Sequence, residues 1–138
     1  MSTQTASNVY LTFNGNCREA MTFYNACLKG EIEIMDFGDS PMPVPADGKK
    51  LVLHSNIKKD GILIMASDTT PDRPVNFGEH MSISINCESA AQADSFYTAL
   101  SAGGKQTMPM QKTFWGAYFG MLTDKFGVQW MFNYDEPK

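Results

Sequence analysis

The chain has 138 residues and a net charge of -4, from 11 Lys plus Arg against 15 Asp plus Glu. That length fits one domain able to bury roughly two thirds of its unfolded surface, enough for a core without disulfide or metal staples. The acidic balance, with no cluster of Lys and Arg, speaks against nucleic acid and anionic membrane as partners.

The opening segment MSTQTASNVY has neither a charged n-region nor an apolar run, and no stretch approaches about 18 consecutive apolar residues. A cytoplasmic protein with no export signal is expected. VYLTF (9–13) alternates apolar and smaller or polar residues as a half-buried strand requires. A helix follows, with Ala20, Phe23, Tyr24, Cys27 and Leu28 on one face, and Gly30 placed to take the left-handed turn that ends it. DFGDSPMPVPADGKK (36–50) holds three prolines and two glycines, too long for a tight hairpin, and reads as a flap that shapes entry or swaps across a dimer. LVLHSNI (51–57) and GILIMASD (61–68) are strands joined at KKDG.

The second half repeats this plan. MSISIN (81–86) is the leading strand, and Ala93, Phe96, Tyr97 and Leu100 form the helix face, with Ser89 and Gln92 as a capping box and Gly103 or Gly104 as the stop. Phe23-Tyr24 answers Phe96-Tyr97, and GILIMASD lies over GVQWMFNY (127–134), which matches Met65 to Met131. Between these, KTFWGAYFG (112–120) leads into the last hairpin, where Gly116 and Gly120 let the backbone turn around large rings and DKFG supplies the turn. Asp124, before that turn's glycine, reads as a turn-former rather than a catalytic acid.

The expected fold is α+β: βαβββ written twice in a single domain over 1–138, with modules at 8–68 and 80–134 and a connector at 69–79. A four-stranded sheet with one helix leaves a face uncovered, so the two sheets are expected to pair and curve around a shared cleft. The alternative is two ferredoxin-like halves packed with none.

YLTFNGNCREAMTFY, LHSNIKKDGILIMASD and FWGAYFGMLTDKFGVQWM resemble the PhnB-like proteins of the vicinal oxygen chelate superfamily, which includes glyoxalase I, extradiol dioxygenases and the bleomycin and fosfomycin resistance proteins. The resemblance runs over residues 8–134. It implies the glyoxalase/bleomycin resistance fold, two βαβββ modules whose sheets form a cup, and a homodimer that completes it. Some members carry the name demethylubiquinone methyltransferase, yet no glycine-rich nucleotide loop follows a strand here.

In metal-using relatives the resemblance implies a His or Gln on the first strand of each module and a Glu on the last. His80 falls on one such position. The carboxylate positions hold Met65 and Met131, and the leading strand SNVYLTF offers only Ser7, Asn8, Val9 or Tyr10. His54 lies on a strand outside the usual ligand set. A catalytic divalent cation needs about three protein ligands, so no cofactor is expected, with His80 the weak metal candidate. Cys17, Cys27 and Cys87, an odd number without a C-x-x-C pair, read as buried apolar residues.

Strand alternation assigns the remaining faces. With Val128, Trp130 and Phe132 under the helix, Gln129, Met131 and Asn133 point into the cup, as do Leu63, Met65 and Ser67 in the first module. Tyr10 and Thr12 share a face with Asn14, and Ser82, Ser84 and Asn86 share one with His80. Phe114 and Trp115 are placed at the rim as a lid over a flat ligand or against a partner subunit. With His54, these residues make an apolar wall carrying hydroxyls, amides and imidazole. The expected function is binding of a small, largely apolar organic molecule in the cup, without a conventional metal site. The alternative is a metal-dependent enzyme of glyoxalase or dioxygenase type, using His80 and unconventional ligands.

Overall fold

A computed structural model describes residues 5–41 and 50–137. The chain divides into two compact units, Met1–Val75 and Asn76–Lys138. Each unit is one four-stranded sheet with one helix, in the order strand, helix, three strands.

In the first unit β1 (Val9–Phe13) leads to α1 (Cys17–Leu28), then β2 (Glu31–Asp36), β3 (Val52–Lys59) and β4 (Ile62–Asp68). The sheet order is β1-β4-β3-β2, with β1 parallel to β4 and the other pairs antiparallel. The parallel pair is what a helical crossover permits, and the KKDG hairpin supplies the antiparallel neighbour. Cys17, Ala20, Met21, Tyr24, Cys27 and Leu28 bury the inner face of α1, while Phe23 stays partly exposed. They pack on Phe13, Ile57, Ile64 and Ala66, all buried.

The left-handed residue that ends α1 is Lys29, at φ 58, rather than Gly30. Gly30 answers a different demand. A β-carbon there would lie 2.8 Å from the carbonyl oxygen of Lys58, so its missing side chain is what lets β2 start against β3. Of the expected flap, Asp36 closes β2 and Phe37–Asp39 form one 3-10 turn, and 42–49 lie outside the described residues. After β4 the chain is held near β1, because the Asn14 amide donates to the Val75 carbonyl and accepts from its N–H, both at 2.8 Å.

In the second unit β5 (Ile83–Asn86), α2 (Ala90–Leu100), β6 (Lys105–Lys112), β7 (Ala117–Thr123) and β8 (Gln129–Asp135) form the sheet β5-β8-β7-β6, with β5 parallel to β8. Ser89 caps α2 by accepting from the Gln92 N–H at 3.0 Å, and the Gln92 side chain reaches back one residue further than a capping box requires, to the Glu88 N–H. Ala93, Phe96, Tyr97 and Leu100 are buried as the periodicity predicts, and Phe132 meets the Tyr97 ring edge-on at 6.3 Å.

Gly116 has φ +88 and turns the chain between β6 and β7. Gly120 does not turn: it lies inside β7, where a β-carbon would collide with the Met110 side chain. The KTFWGAYFG segment is therefore a β6–β7 hairpin. No helix among the described residues is long and apolar enough to cross a membrane.

Candidate functional site

Helix burial in each unit defines the opposite sheet face. In the second unit Val128, Trp130 and Phe132 are buried on the helix side, so Gln129, Met131 and Asn133 lie on the other, as alternation requires. In the first unit Ile64 and Ala66 are buried toward α1, and Leu63, Met65 and Ser67 are on the helix-distal face and partly exposed.

Strand register then shows which side chains stand side by side. In the first unit Glu33, Asn56, Met65 and Tyr10 form one row across all four strands. Thr12 pairs with Ser67, and His54 with Met35. The Tyr10 hydroxyl and His54 Nδ1 are 3.5 Å apart, with ring centroids at 5.9 Å. The side-chain carbonyl oxygen of Asn56 is buried and has no hydrogen-bond partner among the described residues. Tyr10 and Met35 remain about half exposed, at 49% and 50%.

The corresponding row in the second unit is Met108, Met121, Met131 and Ser84. Met65 and Met131 occupy equivalent places, one from the outer strand that runs parallel to them. The expected face shared by His80, Ser82, Ser84 and Asn86 does not form as a strand face. β5 begins only at Ile83, so His80 and Ser82 precede the ladder. His80 instead sets its ring against Gly78, whose carbonyl also accepts a 3.4 Å bond from the Gln129 amide.

Phe114 and Trp115 form the tip of the β6–β7 hairpin, at 98% and 58% exposure, and stack edge-on at 5.0 Å, with Phe119 6.2 Å from Trp115. Alternation also places Phe119 and Met121 on the helix-distal face, and along β3 it puts Asn56 beside His54. Met108 was hidden from that rule, because register shifts on both sides of it break the β6 period.

Asp124 acts as the turn-former its position suggests, accepting from the Phe126 and Val128 N–H groups at 2.8 and 3.0 Å. The three cysteines are buried, and no disulfide joins them. Burial pushes the Cys17 and Cys87 thiols up to about 11, so both hold their protons at neutral pH and neither is an activated nucleophile.

The 3-demethylubiquinone-9 3-methyltransferase family model matches residues 5–132. The chain belongs to this family. It is the PhnB-like family, and its fold is that of the glyoxalase/bleomycin resistance proteins. PA1353 from Pseudomonas aeruginosa is 44% identical, with 97% of this chain and 100% of that one covered and a TM-score of 0.87. A putative 3-demethylubiquinone-9 3-methyltransferase, PhnB protein, from Bacillus cereus is 28% identical over 94% of this chain and 99% of its own, with a TM-score of 0.74. Protein YjdN of Escherichia coli (strain K12) is 30% identical over 90% of this chain and 91% of its length. More distant structures share the glyoxalase/bleomycin resistance fold alone, among them one complexed with Mn(II).

Hard divalent cations take carboxylate oxygens and zinc, iron or nickel take imidazole as well, and the central positions of this PhnB-like chain present thioethers. Among the described residues no three His, Cys, Asp or Glu side chains gather as ligands. This donor set does not fit such a metal.

Proposed function

We propose that this PhnB-like chain binds a small, largely apolar organic molecule against the helix-distal sheet faces and does so without a metal. The observation that carries the reading is the row centred on Met65, where a flexible thioether lies between the Tyr10 ring and the Asn56 amide, beside His54. Thioethers and rings supply adaptable apolar contact, and a few amides and hydroxyls orient the guest. Met131 with Ser84 offers a second such surface. Methyl transfer is not part of the proposal, since the β1–α1 connection Asn14-Gly15-Asn16 has one glycine and none of the pattern that cradles a nucleotide cofactor.

Titration of a library of apolar organic molecules into chelator-dialysed protein tests this by calorimetry. Binding is expected without added metal. In a Trp130→Phe protein, where Trp115 is the remaining indole, ligand is expected to change Trp115 emission if the hairpin tip reaches the guest. Binding that appears only when a divalent cation is restored overturns the metal-free reading. A silent Trp115 during calorimetric binding removes Phe114 and Trp115 from the site.

A homodimer is the second part of the proposal, supported by the exposed Phe114–Trp115 tip and by outer strands whose edges need cover. Sedimentation at micromolar concentration is expected to return twice the chain mass. A monomer there contradicts it.

A further inference from the structure

We infer that the ligand of the first unit is a neutral or cationic aromatic molecule bearing an O–H or N–H donor, a phenol or aromatic amine, and that the Asn56 side-chain carbonyl is the acceptor that selects it. The inference rests on the small-molecule reading above and specifies the chemistry of that guest. Asn56 Oδ1 is buried with no partner among the described residues. Buried acceptors in native proteins are nearly always satisfied, so a carbonyl held this way marks a place for a donor that is not part of the chain.

The surroundings decide what kind of donor. On β4 the cross-strand neighbour of Asn56 is the Met65 thioether, which a water molecule leaves without apolar contact. An organic donor brings its own apolar body to that methionine. Tyr10, in register with Met65, and His54, two residues before Asn56 on the same face, add ring surface, with 5.9 Å between their centroids.

Charge excludes the opposite class of guest. Glu33 stands in register with Asn56 on the β2 side, and Glu31, also on this face, is matched by Lys58 across the strands. Among the described residues no ion pair holds the Glu33 carboxylate beside the acceptor. Neighbouring negative charge and an unpaired carbonyl oxygen both repel a phosphonate or carboxylate and favour a donor.

The test is an amide-resolved NMR titration of the whole chain with three probes: p-cresol, its O-methyl ether and benzylphosphonate. In wild-type protein p-cresol is expected to bind about tenfold more tightly than the ether, the span of one well-made hydrogen bond. Its shifts are expected to centre on residues 54–56 and 65, and the Asn56 side-chain amide resonances should move with p-cresol and not with the ether. Asn56→Leu is expected to bring the two affinities to parity, and Asn56→Asp, which keeps the acceptor, to preserve the preference.

Equal binding of cresol and ether at this face overturns donor recognition and leaves apolar binding standing. A cresol preference that survives Asn56→Leu assigns the donor elsewhere and overturns it too, as does tightest binding by benzylphosphonate. If no probe moves any resonance of the face, the inference and the reading beneath it fall together. Should Asn56→Leu not fold, the side-chain amide response in wild-type protein decides alone.

Discussion

Asp124→Ala is expected to cost about 3–5 kcal/mol of folding stability, read as a lower urea midpoint at an unchanged slope. The carboxylate is 4% exposed and spends both oxygens on the final hairpin. Oδ1 accepts from the Phe126 and Val128 N–H groups, and Oδ2 accepts from the Trp130 indole N–H at 2.8 Å. Trp130 is fully buried, so truncating Asp124 leaves its N–H without an acceptor and with no water to replace it. Each bond to a charged acceptor contributes about 1.5–3 kcal/mol, and stranded buried donors add a penalty of their own.

Asp124→Asn should fall between wild type and Asp124→Ala. Its one carbonyl oxygen can still serve the turn, but its NH2 then confronts the indole N–H. In the double variant Asp124→Ala, Trp130→Phe the costs should be less than additive, because the stranded donor is gone. A loss under about 1 kcal/mol for Asp124→Ala, or strict additivity in the pair, would show that the turn is held by other means.

The doubled plan was readable because both signals behind it are local. A helix repeats its apolar face every three to four residues, which exposed Phe23-Tyr24 and Phe96-Tyr97 as counterparts, and a strand alternates, which put Met65 and Met131 on equivalent faces. What local pattern could not carry was approach between segments. Gly30 looks like a helix stop, yet Lys29 takes the left-handed turn and Gly30 is there because the Lys58 carbonyl passes close by. Gly120 looks like a turn residue and is a gap in β7 for Met110.

Alternation puts His80 on the face of a strand that in fact starts three residues later, at Ile83. Asn56 sat in plain view beside His54, but nothing in the sequence marks an amide whose oxygen will be buried without a partner. That property arises only when β2, β3 and β4 come into register.

Asp68 is the clearest such case and carries the second large effect: Asp68→Ala is expected to destabilise the chain by about 3–4 kcal/mol. By sequence it is one more acid at a strand end. In the structure it is 6% exposed, and Oδ1 accepts from the Gly15 and Cys17 N–H groups at 2.9 Å while Oδ2 accepts from the Val52 N–H at 3.0 Å. The bonded residues are 53, 51 and 16 positions away along the chain.

α1 depends on this because its own N-cap, Asn16, makes no side-chain capping bond. Asp68 thus satisfies a helix N-terminal donor from across the sheet and sets a negative charge where the helix dipole is positive. The same carboxylate joins the end of β4 to the start of β3, the two strands that carry Met65 and Asn56. Its loss should therefore show in two measurements. Urea unfolding gives the stability, and hydrogen exchange should show the first turn of α1 and residues 52–56 opening below the global unfolding energy. Intact protection at both places, with stability within about 0.5 kcal/mol of wild type, would show that Asp68 neither caps the helix nor joins the strands.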